Sequence, residues 1–277
     1  MSVVVSTASG TVRGSDVAGV TRFLGIPYAR AGRFEQPGPV EPWTGELDAN
    51  APPPQAPQMP GLIEQFMGTA DLAQDERCQN LNVWTPGCDG AKRPVLVWVH
   101  GGAFIAGSAA SAWYDGEAFA RNKDVVVVSV NYRLGLLGFT HLSDRGGERF
   151  AGSGNLGLLD QVAALRWVRE HAAAFGGDPD NVTIFGESAG GASVLALMAA
   201  PGAKGLFHRA IAQSPGFTQL RTRERADEAA GQVLGELGLA PTELDRLLEL
   251  PVQTLLDAQQ SMFRYGMDAL TAFAPTP

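Results

Sequence analysis

The segment Val182-Thr183-Ile184-Phe185-Gly186-Glu187-Ser188-Ala189-Gly190-Gly191 couples a short apolar run to a serine flanked by glycines. Its first four residues are those of a strand buried on both faces, and Gly191 to Ala200 (GASVLALMAA) reads as a helix. Between them lies G-x-S-x-G, the pattern of a sharp strand-to-helix elbow that lifts a serine hydroxyl above a sheet. With 13 serines and 34 glycines in 277 residues, chance supplies roughly 0.2 such patterns. Its weight therefore comes from the strand before it, the helix after it and the small residues that let the two cross closely. Ser188 is the expected nucleophile, and the N–H of Ala189, the next residue, an expected oxyanion donor.

Outward from the elbow the same alternation recurs. Apolar runs at Leu81 to Trp84, Val95 to Val99, Val125 to Asn131 and Ala210 to Gln213 read as strands, and the broad apolar helix LGLLDQVAALRWVREHAAAF precedes the elbow strand. Strands alternating with helices predict a mostly parallel central sheet flanked by helices, an α/β fold. Residues 1–30 predict short antiparallel strands joined by glycine turns. The proline-rich stretch 32–58 predicts irregular chain, and 216–277 predicts helices, the first ending at Gly238 and two short ones over 242–250 and 251–260. We expect a single domain over 1–277 with its core sheet in 81–215. Directly after Val95 to Val99 comes His100-Gly101-Gly102-Ala103-Phe104, small residues whose N–H groups can converge on a tetrahedral oxyanion. Gly102 and Ala103 are the expected donors there.

Composition narrows the partners. A net charge of −8 with only 21 basic residues leaves no basic surface for a phosphate backbone, and no apolar run approaches the roughly 20 residues of a membrane helix. Neither nucleic acid nor a membrane is an expected partner. The start, MSVVVSTASG, has no basic residue ahead of an apolar core. Two cysteines, Cys78 and Cys88, make neither a disulfide framework nor a metal set. A reduced, cytoplasmic protein without metal or organic cofactor is expected. Asp178-Pro179-Asp180-Asn181 reads as a turn, Glu187 as a hydrogen-bonded structural carboxylate, and Trp84, Trp98 and Trp167 as core.

The series FLGIPYA, GRFEQPGPVEPWTG, VLVWVHGGAFIAGS, YDG, VVVSVNYRLGLLGF, GNLGLLDQVAALRWV, FGGDPDNVTIFGESAGG and FHRAIAQSPG resembles the type-B carboxylesterases, the family that also holds the cholinesterases, over nearly the whole chain. The resemblance implies an α/β-hydrolase fold and hydrolysis of small carboxylic esters through an acyl-enzyme on Ser188. It also implies a cysteine partner for Cys78 near Ala56, which is absent. The tryptophan that cholinesterases carry between those positions is absent too: Met59, Phe66 and Met67 stand there, so choline esters are not the expected substrate.

The family's triad continues with an acid and then a histidine well beyond the elbow. Only His208 follows Ser188, and it enters a strand at the rim opposite the active-site end. His100 is expected to support the oxyanion loop, and His141 and His171 to be structural or solvated, the latter near a helix C-terminus. Glu224, Asp227, Glu228, Glu236, Glu243, Asp245, Glu249, Asp257 and Asp268 read as solvated faces. No triad acid or histidine is therefore assigned in this chain, which reads as C-terminally incomplete, its sheet lacking the last strands. The strand Ala210 to Gln213, with apolar Ile211, is then an exposed edge open to self-association. An inactive remnant or a non-catalytic interaction module of the same fold is the alternative reading.

Overall fold

The computed structural model describes residues 1–59, 65, 71–216, 220–265 and 272–276. Nine strands form one sheet: β1 (Ser2–Thr7), β2 (Gly10–Val17), β3 (Val20–Pro27), β4 (Glu46–Asp48), β5 (Asn80–Thr85), β6 (Arg93–Val99), β7 (Val126–Val130), β8 (Gly177–Glu187) and β9 (Arg209–Gln213). They lie in the order β1-β2-β3-β5-β7-β6-β8-β9, with β4 beside β2. The run β7-β6-β8-β9 is parallel. Every pair from β1 to β7 along that order is antiparallel. The N-terminal strands are thus antiparallel as expected and continue into the main sheet through β3 and β5. Ala18 (φ 53) and Gly19 (φ 82) form the β2–β3 turn, both with the positive φ of a two-residue I′ hairpin.

Among the described residues the α-helices longer than one turn are α1 (Glu117–Lys123), α2 (Gly135–Phe139), α3 (Leu156–His171), α4 (Ala189–Ala199), α5 (Arg223–Glu236) and α6 (Val252–Ser261). Val162, Leu165 and Val168 of α3 and Val194 and Leu197 of α4 pack with Val95, Val97, Val126, Val128, Val182 and Ile184 of the sheet. Ala120 of α1 packs with Trp84 and Val127 in another cluster. Because both faces of the central strands are covered, β7 is buried along all five residues, which is why it reads as valines with Ser129 as their one polar interruption. A further cluster joins Phe104, Tyr132, Phe139 and Ala189 to Ala230 and Val233 of α5 and Leu255 of α6.

Two buried polar clusters inside this core are paired, as burial requires. Asp160 of α3 receives Arg133 N at 3.0 Å, Nε at 2.8 Å and Nη2 at 2.7 Å, with both side chains buried. Asn82 of β5 donates to Ala109 O at 3.0 Å and to Ser129 Oγ at 3.1 Å.

Several details depart from the sequence reading. β8 extends back to Gly177, so Asp178 to Asn181 lies in a strand. Turn chemistry persists there, with Asp180 N donating to Asp178 Oδ1 at 2.9 Å. Within the proline-rich stretch Glu46–Asp48 forms β4, because three residues suffice to pair with Thr11, Val12 and Arg13. The segment expected as a helix over 242–250 is a 3-10 turn at Leu244–Leu248. Trp98 is half-buried where Trp84 and Trp167 are core.

Candidate active site

Ser188 is the single residue between β8 and α4, with φ 56 and ψ −119. A side-chain-bearing residue is strained in that region, and such strain persists only where the surroundings fix it. Here they do. Ser188 N donates to Gln213 O of β9 at 2.9 Å, and Ser188 O accepts from Ala192 N at 2.9 Å. At Gly190 a Cβ would collide with the Val99 carbonyl of β6, so glycine allows the helix to start against the strand.

The loop after β6 lies beside the serine: a Cβ built at Gly101 would stand 3.3 Å from Ser188 Cβ and 2.8 Å from Glu187 O. Gly102 (φ 110), Ala103 (φ 53) and Phe104 (φ 62) all take positive φ. That turn is pinned by Ile105 N and Ala106 N donating to Gly102 O, each at 3.0 Å, and by Gly135 N donating to Phe104 O at 2.6 Å. The Phe104 ring is buried 5.0 Å from that of Phe139. Among the described residues the N–H groups of Gly102, Ala103 and Ala189 donate to no acceptor. Unsatisfied donors of this kind, at the start of a helix and in a tight loop, suit a developing anion.

Beneath the loop, His100 stacks on Tyr132 with ring centroids 4.4 Å apart, and Tyr132 Oη donates to His100 O at 2.7 Å. Burial pushes His100 down to about 4, so its imidazole is neutral near pH 7, and its Nδ1, 2.8 Å from Gly101 O, is the protonated nitrogen. The Gln58 amide brackets Gly107, accepting from its N at 2.8 Å and donating to its O at 3.0 Å. Glu187 lies at the exposed end of β8, and its carboxylate accepts no hydrogen bond among the described residues, which corrects the expected hydrogen-bonded role. Burial, and next the Glu187 charge, raise the neighbouring Tyr114 phenol.

No hydrogen bond links any of the four histidines to Ser188 among the described residues. His208 exchanges bonds with Val182 at the start of β9, its N donating to Val182 O at 2.8 Å and its Nδ1 accepting from Val182 N at 3.1 Å. His141 pairs with Asp144 at 3.0 Å. His171 is buried, its Nδ1 2.9 Å from Trp167 O and its ring stacked on Trp167. Of the later acids, Asp227 pairs with Arg145 and Asp245 with Arg149, each at 2.8 Å, while Asp268 lies outside the described residues, as do Phe66 and Met67. Among the described residues no group of three His, Cys, Asp or Glu side chains could hold a metal ion, and no helix is long and apolar enough to cross a membrane. Sequence reading missed Tyr132 and Gln213. Both act through backbone contacts, and only the N-Y-R run after an apolar strand hints at the first.

A strained serine at a strand-to-helix junction of a mixed sheet, beside a glycine loop on the neighbouring strand, defines an α/β-hydrolase fold. The model of the carboxylesterase family matches residues 1–276, and the chain belongs to that family. It is 45% identical over 263 residues to a para-nitrobenzyl esterase of Bacillus subtilis, covering 94% of this chain and 53% of that protein. Human carboxylesterase 3 is 47% identical over 227 residues, 76% of this chain and 38% of that protein. A crystal structure of a Geobacillus stearothermophilus carboxylesterase superposes with a TM-score of 0.89 at 47% identity, covering 99% of this chain and 55% of that one. The chain thus spans about half the length of the relatives it matches.

Proposed function

We propose that this chain carries the nucleophile and oxyanion hole of a carboxylic ester hydrolase. Ser188 Oγ attacks the carbonyl carbon of a small ester. The N–H groups of Gly102, Ala103 and Ala189 take the oxyanion, the alcohol leaves, and water releases the acid from the acyl-enzyme. The observation that carries this reading is the backbone of Ser188, held at a strained φ against the loop of Gly101, with the N–H groups of Gly102, Ala103 and Ala189 meeting no acceptor among the described residues. The Ser188 proton goes to a histidine oriented by a carboxylate, and since no histidine described here reaches Ser188 we place both outside these 277 residues. The second reading, an inactive remnant or a non-catalytic module of this fold, rests on the lack of a described histidine at Ser188, and the retained Ser188 and glycine loop argue against it. Two free cysteines support a reducing, cytoplasmic setting.

The test replaces the matched half of the Bacillus subtilis esterase with residues 1–276 and measures p-nitrophenyl acetate hydrolysis and fluorophosphonate labelling. We expect turnover and labelling that Ser188→Ala abolishes. A folded chimera that hydrolyses the ester equally well with Ser188→Ala overturns the assignment.

A further inference from the structure

The loop after β6 combines freedom with strain. Gly101, Gly102 and Gly107 leave its backbone few steric limits, while Ala103 (φ 53) and Phe104 (φ 62) hold a conformation that residues with a side chain avoid. Such strain persists only where surrounding contacts over-determine it. The bonds to Gly102 O and the bond from Gly135 N to Phe104 O secure the middle of the loop, and Tyr132 secures its entry at His100 O. Its exit is secured at Gly107 by Gln58, a residue 49 positions earlier in the chain.

Gly107 takes φ 114 and lies so close under the start of the loop that a Cβ there would collide with His100 Nδ1 and Gly101 O. The placement of Gly107 therefore limits the two residues that precede Gly102. Gln58 holds Gly107 with both halves of one amide, Oε1 accepting from its N at 2.8 Å and Nε2 donating to its O at 3.0 Å. The second Nε2 proton goes to Ala56 O at 3.0 Å, so a single orientation of the amide satisfies every partner. Gln58 is itself fixed. It is buried, and its N donates to Gln74 Oε1 at 2.9 Å. The chain around it is tied by Gln55 N to Ala73 O at 2.9 Å and by Asp75 N to Gln55 O at 3.0 Å. A group anchored on all sides can transmit a precise position to the loop it grips.

We propose that Gln58 is a positioning residue for the oxyanion hole: by clamping Gly107 it keeps the strained turn in which the N–H groups of Gly102 and Ala103 serve the carbonyl oxygen at Ser188. This rests on the reading of that loop as the oxyanion hole. Without the clamp Ala103 and Phe104 relax out of positive φ, and the two N–H groups turn away. Charge builds on the carbonyl oxygen only in the transition state, so the loss falls on kcat rather than on KM. The clamp also needs a donor and an acceptor together. An ionised carboxylate at this position accepts from Gly107 N but has no proton for the carbonyls of Gly107 and Ala56, whereas a protonated one donates again.

The test measures kcat and KM in the chimera, per site counted by fluorophosphonate labelling taken to completion. Gln58→Met, of similar volume, should lower kcat about 30-fold with KM within about twofold. Gln58→Glu should lose as much at pH 8 and recover most of it, relative to the parent, at pH 6, because burial favours the protonated acid. A merely structural role would lower the number of active sites and leave kcat per site unchanged. A second measurement needs no ester: in the 277-residue chain the amides of Ile105, Ala106 and Gly107 should exchange hydrogen about tenfold faster in Gln58→Met, those of β7 being unaffected. Unchanged kcat per site, a loss carried by KM, equal losses for Gln58→Glu at both pH values, or unchanged exchange overturns the proposal. A chimera without Ser188-dependent turnover overturns the ester reading instead, and the exchange result still accepts or rejects the clamp.

Discussion

Replacing Asp160 by alanine removes one carboxylate and strands a buried guanidinium. Asp160 takes two hydrogen bonds from the Arg133 side chain, at 2.8 and 2.7 Å, and one from its backbone N–H at 3.0 Å. With Asp160 gone, Arg133 keeps the Glu35 carbonyl at 2.7 Å as its remaining acceptor and has almost no access to water. Breaking such a pair from one side costs about 3–5 kcal/mol, a large part of the roughly 5–15 kcal/mol that holds a domain together. At a urea dependence of about 2–3 kcal/mol per molar, the unfolding midpoint should fall by about 1–2 M at fixed protein concentration. Tyr132, next to Arg133, holds the His100 carbonyl under the glycine loop after β6, so the loop should loosen with it. The double variant Arg133→Met with Asp160→Leu removes both charges and should regain more than half of the loss, because an apolar pair of similar volume bears no desolvation cost. A single variant within about 1 kcal/mol of the parent, or a double variant no better than the single, would refute the claim that the stranded charge sets the magnitude.

Ser188→Gly should raise stability relative to Ser188→Ala by about 1 kcal/mol, since glycine relaxes at φ 56 and alanine does not; equal urea midpoints for the two variants would show that the elbow backbone carries no strain. His100 gives a pH signature. Its native value, near 4 through burial, lies below the unfolded value of about 6.5, so the unfolded state binds more protons between them. Stability should be full above about pH 6.5 and fall by roughly 3 kcal/mol as pH drops towards 4. His100→Gln should flatten that part of the profile, measured as urea midpoints against pH, and an unchanged slope counts against the assignment.

What could be read in the sequence was whatever local chemistry dictates. Val95 to Val99 and Val125 to Val128 are apolar on consecutive residues, as strands covered on both faces are, and Gly186 to Gly190 announces a sharp crossing by its small residues. Among the described residues the N–H groups of Gly102, Ala103 and Ala189 meet no acceptor, and Gly101 of the same loop lies against Ser188. What escaped depends on residues distant in the chain. Asp178 to Asn181 has turn composition yet is drawn into β8 by Gly177 pairing with Arg93. Nothing near Gln213 signals that its carbonyl fixes the Ser188 backbone, and no local pattern ties Arg133 to Asp160. His171 illustrates the same limit: a helix-end histidine reads as structural or solvated, and the structure settles it as buried and stacked on Trp167 one turn earlier in α3.

The bond from Ser188 N to Gln213 O has a kinetic implication. β8 must first slot beside β6, some 80 residues earlier in the chain, and β9 must then dock before the serine backbone is locked. Non-local closures of this kind are slow, because chain entropy is lost before contacts compensate for it. In a chain emerging from its N-terminus, β1 to β7 can associate while the elbow is still unmade, and the reactive geometry is among the last features to mature. During that interval the apolar edges of β6 and β8 are open to neighbouring chains. Refolding followed by a probe at Ser188 should therefore lag behind the appearance of β-structure.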